Sequence, residues 1–233
     1  MTYGDKKLVK NTDYTVSYSK NTAIGQASVK ITGKGLYKGT KTVNFNIRPA
    51  TVTKLKVSST GEKSVKLSWK KVTGADSYAV YRYDNTSKKW QRIKTVKAVS
   101  FTDSGLARAK GYSYKIKAVK KSGGKEYISA SYSKVVEAVT KPAKASCTAK
   151  SADSGSIEVS WKAVGGASGY EIYSSSNGSD YVKSAKVGGS QKSAIVSGFE
   201  PYSLRMVKVR AYKTVNGKTS YGTFSQAVMV IVR

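Results

Sequence analysis

Tyrosines and cationic side chains that share the outer faces of predicted strands are the residues of this sequence best suited to bind a ligand. Two sets combine phenol rings with ammonium or guanidinium groups: Tyr81, Tyr83, Lys115 and Lys117 in one, and Tyr173, Lys208, Arg210 and Tyr212 in the other. Rings stack on sugars or bases, and cations meet carboxylate or phosphate groups. These residues are the candidate ligand-binding site. The alternative is an ordinary solvated sheet face, because Tyr–Lys pairs across strands also cover sheets and edge lysines discourage aggregation.

Residues suited to catalysis or metal binding are scarce. The 233-residue sequence has no histidine, one cysteine and 13 Asp and Glu side chains. Cys147 has no histidine to activate it, so we interpret it as a small packing residue. Five aspartates lie in turn-like contexts, where the side chain favours bonds to its own backbone: Asp76, Asp84, Asp103, Asp153 and Asp180. We therefore expect no enzyme activity, no catalytic residue, no cofactor and no metal site within this chain.

The elements that would position the candidate site occur twice. Residues 64–69 (SVKLSW) return as residues 156–161 (SIEVSW), and residues 74–81 (GADSYAVY) return as residues 166–173 (GASGYEIY). Both pairs are 92 positions apart, so the repeat spans several elements. A period of this length is a whole module, and a module of about 90 residues can bury a modest core of its own.

Apolar and polar residues alternate along the repeated segments, which predicts half-buried β-strands. Val65, Leu67 and Trp69 form one such face, and Ile157, Val159 and Trp161 form its counterpart. Gly123-Gly124 and Asn216-Gly217 stand between strand patterns and predict tight hairpins. No sustained helical period is present. The pattern predicts an all-β chain of antiparallel sandwiches, with short proline-containing joints before each copy and limited swing between modules.

Positive charge is the dominant electrostatic property. Lysine and arginine number 42, which gives a formal net charge of +29. The surplus is largest in residues 49–141, with 21 basic and 6 acidic side chains, against 9 and 2 in residues 1–48 and 12 and 5 in residues 142–233. This charge predicts weak attraction to anionic cell-wall polymers or polysaccharide. Nucleic acid is a further alternative, but no reading motif is present, so no specific nucleic acid partner is expected.

The two copies resemble fibronectin type III domains. The resemblance lies in the order of Trp69, residues 78–81 (YAVY), Leu106, Tyr112 and residues 114–119 (YKIKAV), and in the matching order of residues 142–233. It implies a core tryptophan and a tyrosine, Tyr112, that makes a corner hydrogen bond. In the second copy Phe199 replaces the leucine and Arg205 stands where Tyr112 stands, which leaves Arg205 or Tyr202 to make that bond.

The leading segment resembles the tyrosine-rich bacterial immunoglobulin-like repeat of long Gram-positive surface proteins. The resemblance lies in residues 13–19, 29–40 and 43–47 and covers only the later strands of that repeat. The predicted fold class is therefore all-β: two tandem antiparallel β-sandwiches of the fibronectin type III-like kind plus a partial Ig-like β segment at the N-terminus. The predicted domains are 1–48, 49–141 and 142–233. Because three strands without partners are marginal alone, the chain is expected to be part of a longer one.

These observations predict a non-catalytic spacer and adhesion region of a large secreted or cell-surface bacterial protein, extracellular or associated with the cell wall. The expected partners are anionic envelope polymers and neighbouring domains of the parent chain. The chain is expected to be a monomer, and no apolar run approaches the roughly 20 residues of a membrane helix, so no membrane insertion is expected. The alternative is a carbohydrate- or matrix-binding accessory module of an extracellular hydrolase.

Overall fold

The computed structural model describes residues 1–233 and contains β-strands and no helix. In chain order the strands are β1 (Thr2–Tyr3), β2 (Lys6–Lys7), β3 (Tyr14–Ser19), β4 (Gly25–Gly33), β5 (Thr40–Ile47), β6 (Lys56–Thr60), β7 (Ser64–Ser68), β8 (Ser77–Asp84), β9 (Lys89–Val96), β10 (Ser100–Ser104), β11 (Gly111–Ser122), β12 (Lys125–Ile128), β13 (Val136–Val139), β14 (Cys147–Ser151), β15 (Ser156–Trp161), β16 (Gly169–Ser175), β17 (Val182–Gly188), β18 (Ser193–Ser197), β19 (Leu204–Val215), β20 (Lys218–Tyr221) and β21 (Val228–Ile231).

The strand order of the sheets repeats. The first copy has a three-stranded sheet of order β10-β7-β6 and a sheet of order β12-β11-β8-β9, in which β13 also pairs with β11. The second copy has the sheets β14-β15-β18 and β17-β16-β19-β20, with β21 also pairing with β19. Strand β8 is antiparallel to both β9 and β11, and its counterpart β16 is antiparallel to both β17 and β19. The all-β fold class with antiparallel sheets is confirmed.

The chain divides into two compact units. Unit 1 comprises residues 1–56, 68–100 and 114–135, and unit 2 comprises residues 57–67, 101–113 and 136–233. The predicted domain boundaries at 48/49 and 141/142 stay a prediction.

Unit 1 contains the leading segment and most of the long sheet of the first copy. The leading segment forms the antiparallel sheet β3-β4-β5 and a short hairpin of β1 and β2, which the sequence did not predict. In the long sheet, Tyr78, Val80, Tyr114, Ile116 and Ala118 lie on one face and are buried. The ring of Trp69 packs edge-to-face on Tyr78, with the ring centroids 5.4 Å apart. Trp69 is therefore a core residue, as predicted.

Unit 2 contains a complete sandwich. Its core combines Ile157 and Val159 of the three-stranded sheet with Tyr170, Ile172 and Val209 of the other sheet, all of them fully buried. Trp161 closes this core. Its indole lies 5.1 Å from the Tyr170 ring centroid, and its Nε1–H donates a hydrogen bond to the carbonyl oxygen of Gln191 at 3.1 Å. The alternating apolar pattern predicted this face because successive strand residues point to opposite sides of a sheet.

One buried tyrosine makes the same hydrogen bond in both copies. Tyr78 Oη accepts from the backbone N–H of Val72 at 2.9 Å, and Tyr170 Oη accepts from Val164 at 2.7 Å. All four residues repeat at the 92-residue period. The bond fixes the turn between the tryptophan strand and the next strand.

Replacing Tyr78 or Tyr170 with phenylalanine is expected to lower the free energy of unfolding by about 1–2 kcal/mol, because a buried N–H loses its acceptor while the ring is kept. Urea denaturation of each variant measures this. The matched control is Tyr202→Phe, since that side chain is 87% exposed. A loss as small as that of the control would contradict the structural role of the hydroxyl.

Both predicted hairpins are confirmed. Gly123 and Gly124 connect β11 to β12, and Asn216 and Gly217 connect β19 to β20; all four have positive φ, as a type I′ turn requires. The predicted corner bond is confirmed as well, since Tyr112 Oη accepts from the N–H of Ala107 at 2.9 Å.

Two expectations about local structure are wrong. In the second copy the exposed Tyr202 cannot replace the corner tyrosine, and the Arg205 guanidinium lies over the Phe199 ring at 5.0 Å, with its buried Nε lacking a hydrogen-bond partner. Asp103, expected in a turn, lies in β10 and is buried. Its neighbours Phe101 and Thr102 continue the strand through the position that the aspartate was expected to interrupt.

Candidate functional site

The first candidate set lies on the outer face of the unit 1 sheet. Tyr81 of β8 stands directly opposite Lys115 of β11, and Ala79 stands opposite Lys117. On the other side of β8, Tyr83 stands opposite Trp90 of β9. These pairings place all four predicted residues on one face. We call Tyr81, Tyr83, Trp90, Lys115, Lys117 and Tyr132 the Lys115 face.

Ring contacts hold the Lys115 face together. Tyr81 meets Tyr132 edge-to-face, with ring centroids 5.1 Å apart and planes at 88°, and Tyr83 meets Trp90 in the same way at 5.4 Å. The Lys115 ammonium lies 3.6 Å from the Tyr132 centroid and 4.2 Å from that of Trp90. Lys117 lies 4.3 Å from the Tyr132 centroid and donates a hydrogen bond to the carbonyl oxygen of Ala130. Two ammonium groups thus converge on one ring.

The electrostatic environment of this face is cationic. Burial, together with the charge of Lys117, lowers the pKa of Lys115 below its usual value. Burial and the neighbouring Tyr132 raise the pKa of Tyr81. Glu126, whose charge acts on Tyr81, is engaged by Arg92 at 3.1 Å. Neither Lys115 nor Lys117 has a carboxylate at ion-pair distance.

The second candidate set lies on the outer face of the unit 2 sheet. Tyr173 of β16 stands opposite Lys208 of β19, Glu171 opposite Arg210, and Gly169 opposite Tyr212. The Tyr212 ring lies across Gly169, where a β-carbon would come within 2.4 Å of the phenol oxygen. Three aromatic residues that were not predicted from the sequence, Tyr181, Tyr221 and Phe224, also lie at this face. We call these three residues together with Tyr173, Lys208, Arg210 and Tyr212 the Arg210 face. The Arg210 guanidinium carbon lies 4.1 Å from the Tyr221 centroid, and Lys208 lies 3.4 Å from that of Tyr181.

A buried carboxylate distinguishes the Arg210 face. Glu171 is 1% exposed, and its Oε2 accepts hydrogen bonds from Arg210 Nη2 at 2.7 Å and Nε at 2.9 Å. Lys183 reaches the other carboxylate oxygen at 3.4 Å. Burial alone would raise the pKa of Glu171, but the hydrogen bond and charge of Arg210, assisted by Lys183, outweigh it and hold that pKa below its ordinary value.

The two faces correspond position by position. Tyr81 and Tyr132 match Tyr173 and Phe224 at the 92-residue period, and both ring pairs are edge-to-face at 5.1 and 5.0 Å. A β-bulge precedes the tyrosine in each copy, between Val80 and Tyr81 and between Ile172 and Tyr173. Tyr132 and Phe224 were not predicted from the sequence, although their identical spacing was a signal. Glu171, whose counterpart is Ala79, was not predicted either.

A second repeated feature is a contact with the segment that precedes each copy. In unit 1 the turn at Gly74 lies against Ile24, whose Cδ1 would be 2.8 Å from a β-carbon at Gly74. In unit 2 the equivalent turn at Gly166 lies against Ala109, whose Cβ would be 3.1 Å from a β-carbon at Gly166. Both glycines have φ near +75°, a conformation that other residues adopt only with strain.

The long hairpins take part in the same junctions. In unit 1, Ser122 Oγ would be 3.5 Å from a β-carbon at Gly25. In unit 2, Val215 lies against Gly111, Asn216 Nδ2 donates to Glu137 Oε1 at 3.2 Å, and Lys218 Nζ donates to the Glu137 carbonyl oxygen at 3.1 Å. One turn and one hairpin of each copy therefore contact the preceding segment.

No three His, Cys, Asp or Glu side chains are grouped so that they could hold a metal ion. None of the secondary structure is a helix with the length and apolar character needed to span a bilayer.

The chain is similar to parts of several known proteins. No protein-family model matches the sequence. A poly(3-hydroxybutyrate) depolymerase from Ralstonia pickettii is 42% identical over 100 residues, which are 43% of this chain and 18% of that protein, so the chain spans less than a fifth of its length. Among solved structures, the chain is similar to the FN1–FN3 domains of chicken CNTN1, with 17% identity and a TM-score of 0.41 over 89% of this chain and 76% of that one. It is also similar to a two-domain fibronectin type III segment of chicken tenascin, with 18% identity and a TM-score of 0.48 over 80% and 100%.

Proposed function

We propose that this chain is a non-catalytic spacer and adhesion region of a larger secreted or cell-surface bacterial protein. Its partial immunoglobulin-like segment and two type III modules, with boundaries at 48/49 and 141/142, hold neighbouring domains at a set distance. Its positive charge adds weak attraction to anionic envelope polymers or polysaccharide.

The repeated junction is the observation that supports this proposal. A glycine turn and a hairpin of each copy pack on the segment before it, and the same positions are used both times. A flexible linker between independent binding modules needs no such contact. Packed junctions limit swing, which is the property that a spacer requires.

The junction can be tested with Gly111→Val, because a β-carbon at Gly111 would lie 2.9 Å from Val215 Cγ1. We expect the larger side chain to displace the hairpin and to broaden the distribution of interatomic distances measured by small-angle X-ray scattering on the full chain. Gly188→Ala is the control, since nothing lies within 4 Å of a β-carbon there. A distribution unchanged in Gly111→Val would count against a packed spacer.

The alternative function is an accessory module of an extracellular hydrolase, which acts by holding the enzyme on its polymer. The 42% identity to part of a depolymerase favours it. Pull-down of the chain with granules of poly(3-hydroxybutyrate) and with an insoluble uncharged polysaccharide separates the two functions. Retention on either solid that persists at physiological salt supports the accessory function, whereas a spacer is released because screened charge is its only attraction.

A further inference from the structure

Among the differences between the two faces, the presence of a carboxylate decides whether the face can accept an anion. Both present a tyrosine, a second ring and two cations at equivalent positions. In unit 2 the carboxylate of Glu171 already engages Arg210, which is the counterpart of Lys117, and also pairs with Lys183. Lys208, the counterpart of Lys115, lies over the rings of Tyr181 and Phe224, so one of the two equivalent cations is already occupied. In unit 1 the residue equivalent to Glu171 is Ala79, and the ammonium groups of Lys115 and Lys117 have rings and a backbone carbonyl as neighbours but no carboxylate.

This arrangement leaves the two ammonium groups of the Lys115 face without a counter-ion. Two ammonium groups near one Tyr132 ring repel each other, and ring faces offset that cost only in part. An acidic group placed between them would supply the counter-charge that Glu171 supplies in unit 2. The rings themselves offer little stacking surface, because they meet edge-to-face and Lys115 covers Tyr132 and Trp90.

We propose that the Lys115 face binds one acidic group of an anionic polysaccharide, and that the Arg210 face does not. The inference depends on the attraction to anionic polymers in the proposed function and assigns it to one site. Lys115 and Lys117 bind the acidic group, and Trp90 and Tyr132 contact the adjoining sugar ring at its edge. The buried Glu171 acts as a built-in counter-ion that closes the second site.

The geometry favours a polysaccharide over a nucleic acid. Binding of nucleic acid depends on neutralising several phosphates along a path and on open aromatic faces for the bases. Here the two cations converge on one ring, so they fit one acidic group, and the ring faces are covered. A polymer with one acidic group on each sugar matches that arrangement.

The test is binding of polygalacturonate fragments to the full chain at physiological salt, measured by calorimetry. Lys117→Gln is expected to weaken binding about fivefold, the value of one partly exposed ion pair. The matched control is Lys71→Gln, which removes the same charge from an exposed lysine of the same unit. It is expected to change binding by less than about twofold, because a single exposed charge outside the Lys115 face is largely screened at physiological salt.

Two further variants change which face carries the carboxylate. Ala79→Glu is expected to reproduce the closed arrangement of unit 2 and to weaken binding as Lys117→Gln does. Glu171→Gln is expected to open the second face and to raise the number of fragments bound per chain. Both predictions follow from the matched positions of residues 79 and 171, because residue 79 stands opposite Lys117 as residue 171 stands opposite Arg210.

The outcomes separate this inference from the proposed function. If Lys117→Gln and Lys71→Gln weaken binding equally, the site is overturned, while weak general attraction to anionic polymers stands. If the wild-type chain does not bind polygalacturonate at all, both the site and that attraction are overturned, while the spacer role is still judged by scattering. If single-stranded DNA binds as tightly and is equally sensitive to Lys117→Gln, the assignment to a polysaccharide is wrong.

Discussion

Truncating Trp161 to alanine is expected to lower the free energy of unfolding of the unit 2 sandwich by about 3–5 kcal/mol. The indole is 6% exposed and contacts the fully buried Tyr170. The substitution leaves a cavity between the two sheets. It also removes the hydrogen bond that the indole N–H donates to the Gln191 carbonyl oxygen. Amide hydrogen exchange in β15, β16 and β19 measures the loss in this sandwich directly, because exchange reports stability strand by strand.

The control for this experiment is Tyr202→Ala, which removes a large but 87% exposed ring from the same sandwich. It is expected to change the free energy of opening, as measured by amide exchange in these strands, by less than about 0.5 kcal/mol. If Trp161→Ala were as mild as this control, the indole would not be the centre of the core.

Replacing Glu171 with glutamine is expected to destabilise unit 2 by about 2 kcal/mol at neutral pH. A buried carboxylate that receives two hydrogen bonds from Arg210 is exchanged for a neutral amide, which leaves the guanidinium without its counter-ion. The effect is smaller than for a fully buried pair because the side chains of Arg210 and Lys183 are 23% and 48% exposed.

The effect of Glu171→Gln on the free energy of unfolding is also expected to depend on pH. The pKa of Glu171 in the folded chain lies below the ordinary glutamate value of 4.5, so its contribution to stability is complete above that pH. That contribution is lost as the pH falls from about 4.5 through the lower pKa of the folded state. The difference in unfolding free energy between the wild type and Glu171→Gln should therefore shrink over this range. A difference that stays constant down to about pH 3 would show that the ion pair is not its source.

Glu158→Gln is the matched control for both measurements. Glu158 also lies in a strand of unit 2 and pairs with a lysine, but the side chain of that lysine, Lys150, is 75% exposed. Exposed ion pairs contribute about 0–1 kcal/mol. Equal effects of the two substitutions would contradict a special role for the buried carboxylate.

Much of the fold could be predicted from local sequence patterns. Alternation placed Val65, Leu67 and Trp69 on a buried face, and the Asn216-Gly217 pair located a hairpin, because strand periodicity and positive φ are properties of neighbouring residues. The repeat then transferred each prediction to the second copy. Most of the candidate residues could be placed on outer faces in the same way.

The parts that could not be predicted depend on residues distant in the sequence. Tyr132 reaches the Lys115 face from the bend after β12, and its position depends on how the chain returns to the sheet. Arg205 has the spacing of a corner residue but lies over Phe199, because a guanidinium fits above a ring where a phenol would point at the backbone. The docking of Gly74 on Ile24 likewise depends on tertiary packing, although the positive φ of the glycine is a local property.

The repeated junction has a consequence for how such chains can grow. The surface that a copy offers to the segment before it, a glycine turn and a hairpin, differs from the surface that Ala109 and Gly111 offer to the copy after it. Contacts between unlike surfaces run head to tail and leave one side free at each end of a row. Additional modules could therefore be appended by gene duplication without a new interface, and under the proposed spacer function the number of copies would set the reach.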